Sequence, residues 1–165
     1  MAISTFEEIV SAIRSFAAAG GDFPSLQEFC VGIIAERLPY YNWVGFYMLD
    51  PRDEEVLVLG PFRGAPTEHV RIPVNEGICG AAVAQGETVI VEDVTADPRY
   101  LACSLETRSE IVVPIRVHGN VVGEIDIDSH ELNAFGPGDR SFLEECAGVI
   151  GRFLEANGHQ VVVSG

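Results

Sequence analysis

The first candidates for chemistry are two of the four cysteines, Cys79 and Cys103. Cys79 lies in a bend between two close glycines, and Cys103 lies in a segment without hydrophobic periodicity. Cysteines in loops are better candidates for function than cysteines on an apolar stripe, where a thiol behaves as a small hydrophobic group. Cys30 and Cys146 lie on such stripes, and we interpret both as packing residues.

A metal site is one possible use for these thiols. Zinc ribbons need pairs of closely spaced ligands, and the interval between Cys79 and Cys103 does not match that pattern. His69 with Cys79 and Cys103 offers three scattered ligands, which is a weak indication of a metal centre. The sequence therefore predicts no metal ion.

The second group of candidates is acidic. Asp126 and Asp128 alternate with isoleucines, so the two carboxylates share one face of a strand. That face could be solvated, or it could line a pocket, because Glu110 begins the neighbouring strand and brings a third acid nearby. Carboxylates gathered in a pocket raise each other's pKa and attract a cation. An amino group, a metal ion or an oxygen that needs a proton would suit them.

Aromatic residues with the spacing of a strand precede these acids. Trp43, Gly45 and Tyr47 are two residues apart and lie on one face. Core packing explains this pattern. The functional alternative is a flat aromatic wall of a pocket, in which Gly45 leaves room for a ligand.

Helices are predicted at both ends of the chain. Ser4, Thr5 and Ser25 each have a glutamate three residues later, which predicts capping boxes at the starts of two amphipathic helices. Apolar residues at helical spacing over 138–155 predict a closing helix.

The middle of the chain predicts about six strands. The clearest pair is a hairpin of 110–117 with 121–128. Hairpin connections predict a largely antiparallel sheet with helices packed on it, which is a single α/β (α+β) domain over 1–157. The tail, 158–165, has no clear assignment.

Composition limits the classes of function. The chain has 165 residues, 47% of them hydrophobic, which is typical of one globular domain. Its net charge of −15 disfavours binding to nucleic acid or to an anionic membrane. All ten basic residues are arginine, which excludes a lysine Schiff base and a P-loop lysine. We see no signal peptide and no apolar run of membrane-spanning length, so we expect a cytoplasmic protein.

The layout of helix pair, six-stranded sheet and closing helix resembles a GAF domain. The shared features are Glu76-Gly77-Ile78-Cys79-Gly80, Val91-Glu92-Asp93-Val94, Asp97-Pro98-Arg99-Tyr100, Ser109-Glu110-Ile111-Val112-Val113-Pro114 and Gly123-Glu124-Ile125-Asp126-Ile127-Asp128-Ser129. Within that superfamily the chain is most similar to the free methionine-(R)-sulfoxide reductases. The sharper markers are Asn42-Trp43-Val44-Gly45-Phe46-Tyr47, Leu57-Val58-Leu59-Gly60-Pro61-Phe62, Val70-Arg71-Ile72-Pro73 and Leu101-Ala102-Cys103.

This resemblance implies a set of residue roles. Cys103 matches the catalytic cysteine of the family and Cys79 a second redox cysteine. The substrate carboxylates of the family match Glu110, Asp126 and Asp128, and its pocket aromatics match Trp43 and Tyr47. Glu110 also belongs to the catalytic set, because a carboxylic acid with a raised pKa could protonate the sulfoxide oxygen.

The resemblance also implies a reaction and its partners. Free L-methionine-(R)-sulfoxide would be reduced through a sulfenic acid and a Cys79–Cys103 disulfide, which a thioredoxin-like reductant would reset. His69 stands where the family often has a further cysteine, so resolution would depend on Cys79. No cofactor is needed, and a homodimer is expected. The alternative is a GAF sensory module that binds a small molecule without converting it.

Overall fold

The computed structural model describes residues 2–100 and 106–158. The predicted catalytic residue Cys103 lies outside the described residues, as does the tail from 159 onward. In the described part of the chain, no helix combines the length and the apolar character that crossing a membrane requires.

One sheet organises the structure. Its strands are β1 (Trp43–Asp50), β2 (Asp53–Arg63), β3 (Arg71–Pro73), β4 (Val89–Val91), β5 (Ser109–Val117) and β6 (Asn120–Ser129). The strand order is β3-β2-β1-β6-β5-β4, and every neighbouring pair is antiparallel. The predicted six-stranded antiparallel sheet is therefore confirmed, including the hairpin between β5 and β6.

Four helices complete the fold: α1 (Ala2–Ala18), α2 (Phe23–Arg37), α3 (Gly77–Gln85) and α4 (Pro137–Ala156). Residues from α1, α2 and α4 join one face of the sheet in the larger hydrophobic core. Val44, Phe46, Ile125 and Ile127 point into this core from the two central strands. Because side chains alternate along a strand, the residues between them point to the opposite face.

The opposite face carries a smaller apolar cluster and is the face of interest, which we call the site face. Trp43 and Tyr47 of β1 lie there with Val112 of β5, Ile72 of β3 and Cys79 of α3. The short helix α3 and the short strand β3 therefore pack where the polar residues of β6 also point.

The starts of the first two helices differ from the prediction. Helix α1 begins at Ala2, so Ser4 and Thr5 lie inside it. Helix α2 begins at Phe23, and the N-cap is Asp22, whose carboxylate accepts a hydrogen bond of 2.9 Å from the Ser25 backbone N–H. The predicted caps were therefore wrong. For α2 the capping-box pattern selected a serine, whereas an aspartate three residues earlier fills the same role equally well.

Helix α3 includes a residue that the sequence placed in a bend. The sequence predicted a bend at Cys79, but a helix begins at Gly77. Gly77 has a φ of +69°, a left-handed conformation that favours glycine. Cys79 therefore lies in the first helical turn rather than in a loop, and the helix aims it at the sheet.

Candidate active site

Four acidic side chains meet on the site face. Glu110 of β5 lies opposite Asp128 of β6, which in turn lies opposite Trp43 of β1. Further along β6, Asp126 and Glu124 point to the same face. All four acids are buried, with at most 4% of any of them exposed. The solvated strand face that the sequence left open is therefore wrong, and the pocket interpretation is correct.

Glu124 is the member of this cluster that the sequence analysis missed. It lies opposite Tyr47 of β1 and is fully buried. The signal was present, because Glu124-Ile125-Asp126-Ile127-Asp128 continues the same alternation by one step.

Cys79 contacts this cluster from above the sheet. Its Sγ donates a hydrogen bond of 3.3 Å to Asp126 Oδ2. One ligand atom each from Cys79, Glu110 and Asp126 can be chosen so that all three lie within 4.8 Å of one another. His69 does not belong to this group, so among the described residues the potential ligands differ from the histidine and cysteine set that the sequence analysis considered and did not favour.

The site aromatics are held by the segment between β2 and β3. Trp43 Nε1 donates a hydrogen bond of 3.0 Å to the Ala65 carbonyl oxygen, and Tyr47 Oη donates one of 2.8 Å to the His69 carbonyl oxygen. The rings of Trp43 and Tyr47 stack with their centroids 6.2 Å apart. Both rings are buried in the apolar cluster of the site face, as the core-packing interpretation of the sequence expected.

The space above Gly45 has a different use from the one predicted. A Cβ at this position would clash with the six-membered ring of Trp43, and it would lie 3.0 Å from Cβ of Phe62. Glycine is thus needed so that the indole can lie flat across the strand, and it leaves no room for a ligand there.

Two cavities reach the acidic cluster. The first is narrow and is lined by Tyr47, His69, Ile72, Cys79, Glu110 and Asp126. The second is larger and is lined by Asn42, Trp43, Thr107, Asp128 and His130 among others. The acidic cluster therefore has a cavity on each of two sides. One cavity lies beside Cys79, and the other lies beside the segment that follows residues 101–105.

Burial dominates the electrostatics of the site. Desolvation raises the pKa of Glu124 and of Asp128, and the charge of Asp126 adds to both effects. Desolvation also raises the pKa of Asp126, although hydrogen bonds with Glu110 and Cys79 lower it. Because each pKa is raised, these carboxyl groups hold a proton more firmly than exposed acids do.

The pKa of the Cys79 thiol is also raised. Burial raises its pKa, and the nearby charges of Asp126, Glu124 and Glu110 raise it further. A raised pKa disfavours the thiolate, which is the nucleophilic form of a cysteine.

Several oxygens of the cluster have no hydrogen-bond donor among the described residues. They are both carboxyl oxygens of Glu124, Asp126 Oδ1 and Asp128 Oδ1. A buried acceptor without a partner costs about 1–3 kcal/mol, and such groups concentrate at functional sites. The arrangement suits a donor-rich, positively charged ligand.

The flanks of the undescribed segment 101–105 border this site. Tyr100 packs against the apolar cluster of the site face, and Glu106 lines the cavity that also contains Asp128. The seventh predicted site residue, Cys103, lies outside the described residues. The structure brings together the other six, which are Trp43, Tyr47, Cys79, Glu110, Asp126 and Asp128.

Comparison with known proteins identifies relatives along most of the chain. A family model described as a GAF domain matches residues 22–155. Protein YtsP of Bacillus subtilis (strain 168) is 44% identical over 122 residues, or 74% of each chain. The free methionine-R-sulfoxide reductase of Escherichia coli (strain K12) is 38% identical over 122 residues, which cover 74% of this chain and 72% of that protein.

A solved structure extends the similarity to the whole fold. The X-ray structure of the free methionine-R-sulfoxide reductase from Neisseria meningitidis, in complex with its substrate, matches with a TM-score of 0.90 and 37% identity. The match covers 98% of this chain and 95% of that one. The chain therefore belongs to the GAF-domain family, in the group that includes the free methionine-R-sulfoxide reductases.

Proposed function

We propose that this protein reduces free L-methionine-(R)-sulfoxide to methionine, with Cys103 as the attacking thiol. The observation that carries the proposal is the buried cluster of Glu110, Asp126 and Asp128 beside the Cys79 thiol. The relatives named as reductases of this substrate support it.

Substrate recognition follows from charge and shape. The ammonium group of a free amino acid matches the buried carboxylates of this cluster, and the unpartnered Asp126 Oδ1 and Asp128 Oδ1 accept its N–H donors. Trp43 and Tyr47 supply an apolar wall for the side chain of the substrate. A methionine sulfoxide within a polypeptide lacks this ammonium group, so the free amino acid is preferred.

The first chemical step consumes one thiol and one sulfoxide. Cys103 attacks the sulfoxide sulfur, and a carboxylic acid, Glu110 in this proposal, donates a proton to the sulfoxide oxygen. The S–O bond then breaks, the hydroxyl group passes to Cys103 as a sulfenic acid, and methionine leaves. The reacting cysteine is oxidised and the substrate sulfur is reduced by two electrons.

The second step restores the active site. The Cys79 thiol attacks the sulfenic acid of Cys103, which forms a disulfide and releases water. Asp126 accepts the hydrogen bond of Cys79 over 3.3 Å and so is placed to take its proton. A thioredoxin-like dithiol then reduces the disulfide by exchange, and both cysteines return to thiols.

The short distance between the flanks and the site supports this pairing. Cys103 is three residues from each described flank, Tyr100 and Glu106, and an extended chain covers at most about 11 Å over three residues. Both flanks border the site face that contains Cys79.

A cytoplasmic homodimer is also part of the proposal. The cytoplasm keeps thiols reduced, which this reaction cycle needs. Pairing would use α1 and α4, which form a groove lined by Phe6, Val10 and Phe142. Light scattering coupled to gel filtration would measure the mass, and a monomeric mass would contradict this part.

The test is turnover of free L-methionine-(R)-sulfoxide with dithiothreitol, for the wild type and for Cys103→Ser in parallel. We expect methionine from the wild type only, and none from the (S) epimer. No turnover by a folded wild type would overturn the proposal. If the substrate still bound under those conditions, the protein would be a sensory GAF module instead.

A further inference from the structure

A group of potential metal ligands lies inside the acidic cluster. Cys79 Sγ and one carboxylate oxygen each from Glu110 and Asp126 lie within 4.8 Å of one another, and all three residues are buried. They come from three different elements, α3, β5 and β6, whose packing holds them in place. The proposed reaction uses none of them to bind an ion.

A second observation indicates that a cation fits here. Asp126 Oδ1 is buried and receives no hydrogen bond from the described residues, and the same holds for both carboxyl oxygens of Glu124, which acts on the Cys79 thiol. The charged groups that act on the Cys79 thiol are the carboxylates Asp126, Glu124 and Glu110. The pocket thus brings orphaned carboxyl oxygens and one sulfur together.

The donor set selects the class of ion. Sulfur with two carboxylate oxygens suits zinc or its softer relative cadmium, whereas magnesium and calcium take oxygen ligands alone. Ligands of a tetrahedral zinc ion lie about 3.5 Å apart, given metal–ligand bonds of about 2.0–2.3 Å. The Cys79 Sγ to Asp126 Oδ2 distance is already 3.3 Å.

We propose that Cys79, Glu110 and Asp126 bind one zinc-class divalent cation, with the fourth position open. The ion would displace the thiol proton and accept electron pairs from the sulfur and the two carboxylates, with no change in oxidation state. It would act as an inhibitor and not as a cofactor, because a metal-bound Cys79 cannot attack a sulfenic acid. The competition with substrate rests on the proposed function, whereas the metal binding does not.

Titration with cadmium chloride tests the site, because a thiolate–cadmium bond produces a charge-transfer absorption in the ultraviolet. The reduced protein is held in a phosphine reductant that does not chelate. We expect one equivalent to bind to the wild type with this absorption. Cys79→Ser should lose the absorption, and Asp126→Asn should weaken binding by at least about tenfold. Cys30→Ala removes a buried thiol of the larger core, and it should retain both the absorption and the cadmium affinity of the wild type.

Several results would overturn the site. The first is that the wild type shows no saturable cadmium binding. The second is that the absorption survives in Cys79→Ser, and the third is that Cys30→Ala loses the absorption as completely as Cys79→Ser. Circular dichroism checks that each variant folds, and Glu110→Gln replaces Asp126→Asn if the latter does not. Added methionine sulfoxide should weaken cadmium binding. If the metal binds but this competition is absent, the metal site stands. The claim that metal and substrate use the same carboxylates then fails.

Discussion

At the scale of single residues, burial determines the chemistry of the site. An exposed glutamate or aspartate has lost its proton at neutral pH and cannot act as an acid. Glu124, Asp126 and Asp128 are almost completely buried, and desolvation raises the pKa of each. The same burial raises the pKa of the Cys79 thiol, so the proposed reaction needs a proton acceptor for this thiol.

Glu124→Gln should make stability less dependent on pH. A carboxyl group whose pKa is higher in the folded state than in the unfolded state stabilises the fold fully below the unfolded pKa. That contribution is lost as pH rises toward the folded pKa. Between about pH 5 and about pH 8 the wild type should lose up to about 1.4 kcal/mol more per pH unit than Glu124→Gln.

Urea unfolding at both pH values measures this difference. The matched control is Glu54→Gln, which changes an exposed glutamate of β2 and should leave the pH dependence as it is in the wild type. Equal slopes for Glu124→Gln and the wild type would show that Glu124 does not hold its proton in the folded state.

Cys79→Ser should separate the two chemical steps. With a thioredoxin system as reductant, the wild type should turn over repeatedly, whereas Cys79→Ser should stop after about one methionine per chain. The stalled Cys103 sulfenic acid would be detected by mass spectrometry after trapping with dimedone. Repeated turnover by Cys79→Ser would contradict its role, and Cys30→Ala should behave as the wild type.

At the scale of elements, the short helix α3 decides where the second thiol lies. Its third residue is Cys79, and its fourth, Gly80, packs against the carbonyl group of Val74. A side chain at Gly80 would place its Cβ only 2.7 Å from that oxygen. The close approach of helix and chain therefore aims Cys79 at Asp126.

Gly80→Ala should destabilise the fold and weaken the hydrogen bond between Cys79 and Asp126. Because the obstructing atoms belong to the backbone, the helix has to shift, and such overpacking costs about 1–3 kcal/mol. Chemical denaturation measures the cost. Gly21→Ala is the control, since a Cβ there meets nothing within 4 Å and should change stability by less than about 0.5 kcal/mol. Equal effects of the two substitutions would contradict the packing argument.

The start of α4 depends on one carboxylate. Asp139 Oδ1 accepts hydrogen bonds from Tyr40 Oη at 2.5 Å and Tyr41 Oη at 2.6 Å. Its Oδ2 accepts a third bond of 3.0 Å from the Gly136 backbone N–H, which caps the helix. One side chain thus joins α4 to the segment that precedes β1.

Asp139→Ala should therefore lower the free energy of unfolding by about 3 kcal/mol, because two tyrosine hydroxyl groups and a helix cap lose their acceptor. Thermal and urea unfolding check the value. Glu145→Ala on the same helix removes only an exposed ion pair with Arg14 and should cost at most about 1 kcal/mol. A comparable loss in both variants would mean that the three hydrogen bonds contribute little.

At the scale of the whole molecule, the sheet separates stability from chemistry. One face packs against α1, α2 and α4 in the large core, which anchors β5 and β6. The other face carries the acids of those same strands. The cost of burying the acidic cluster is therefore offset by apolar packing on the opposite face of the same strands.

The net charge of −15 adds a second effect at this scale, since like charges repel in the compact state. Raising sodium chloride from about 0.01 M to about 0.15 M shortens the screening length from about 30 Å to about 8 Å. We expect the melting temperature to rise over this range. A melting temperature that falls with salt would show that exposed ion pairs, such as Arg37 with Glu8, outweigh the repulsion.

The sequence alone determined the elements and most of the site. Alternation along 121–128 predicted the strand, the hairpin and the shared face of Asp126 and Asp128, because the period of a strand is a local property. The similarity to a family added the pairing of that face with Trp43 and Tyr47. Both expectations match the sheet order β1-β6-β5.

Only the tertiary structure decided which residues are buried there. Glu124 continues the alternation of Asp126 and Asp128, but alternation by itself does not show that this face is buried. The glycines around Cys79 suggested a loop where a helix begins. Burial of a strand face depends on what packs on it, and here that is α3, which lies far from β6 along the chain. Solvent exclusion by distant segments is a non-local effect, and it is what turns a row of alternating acids into a site.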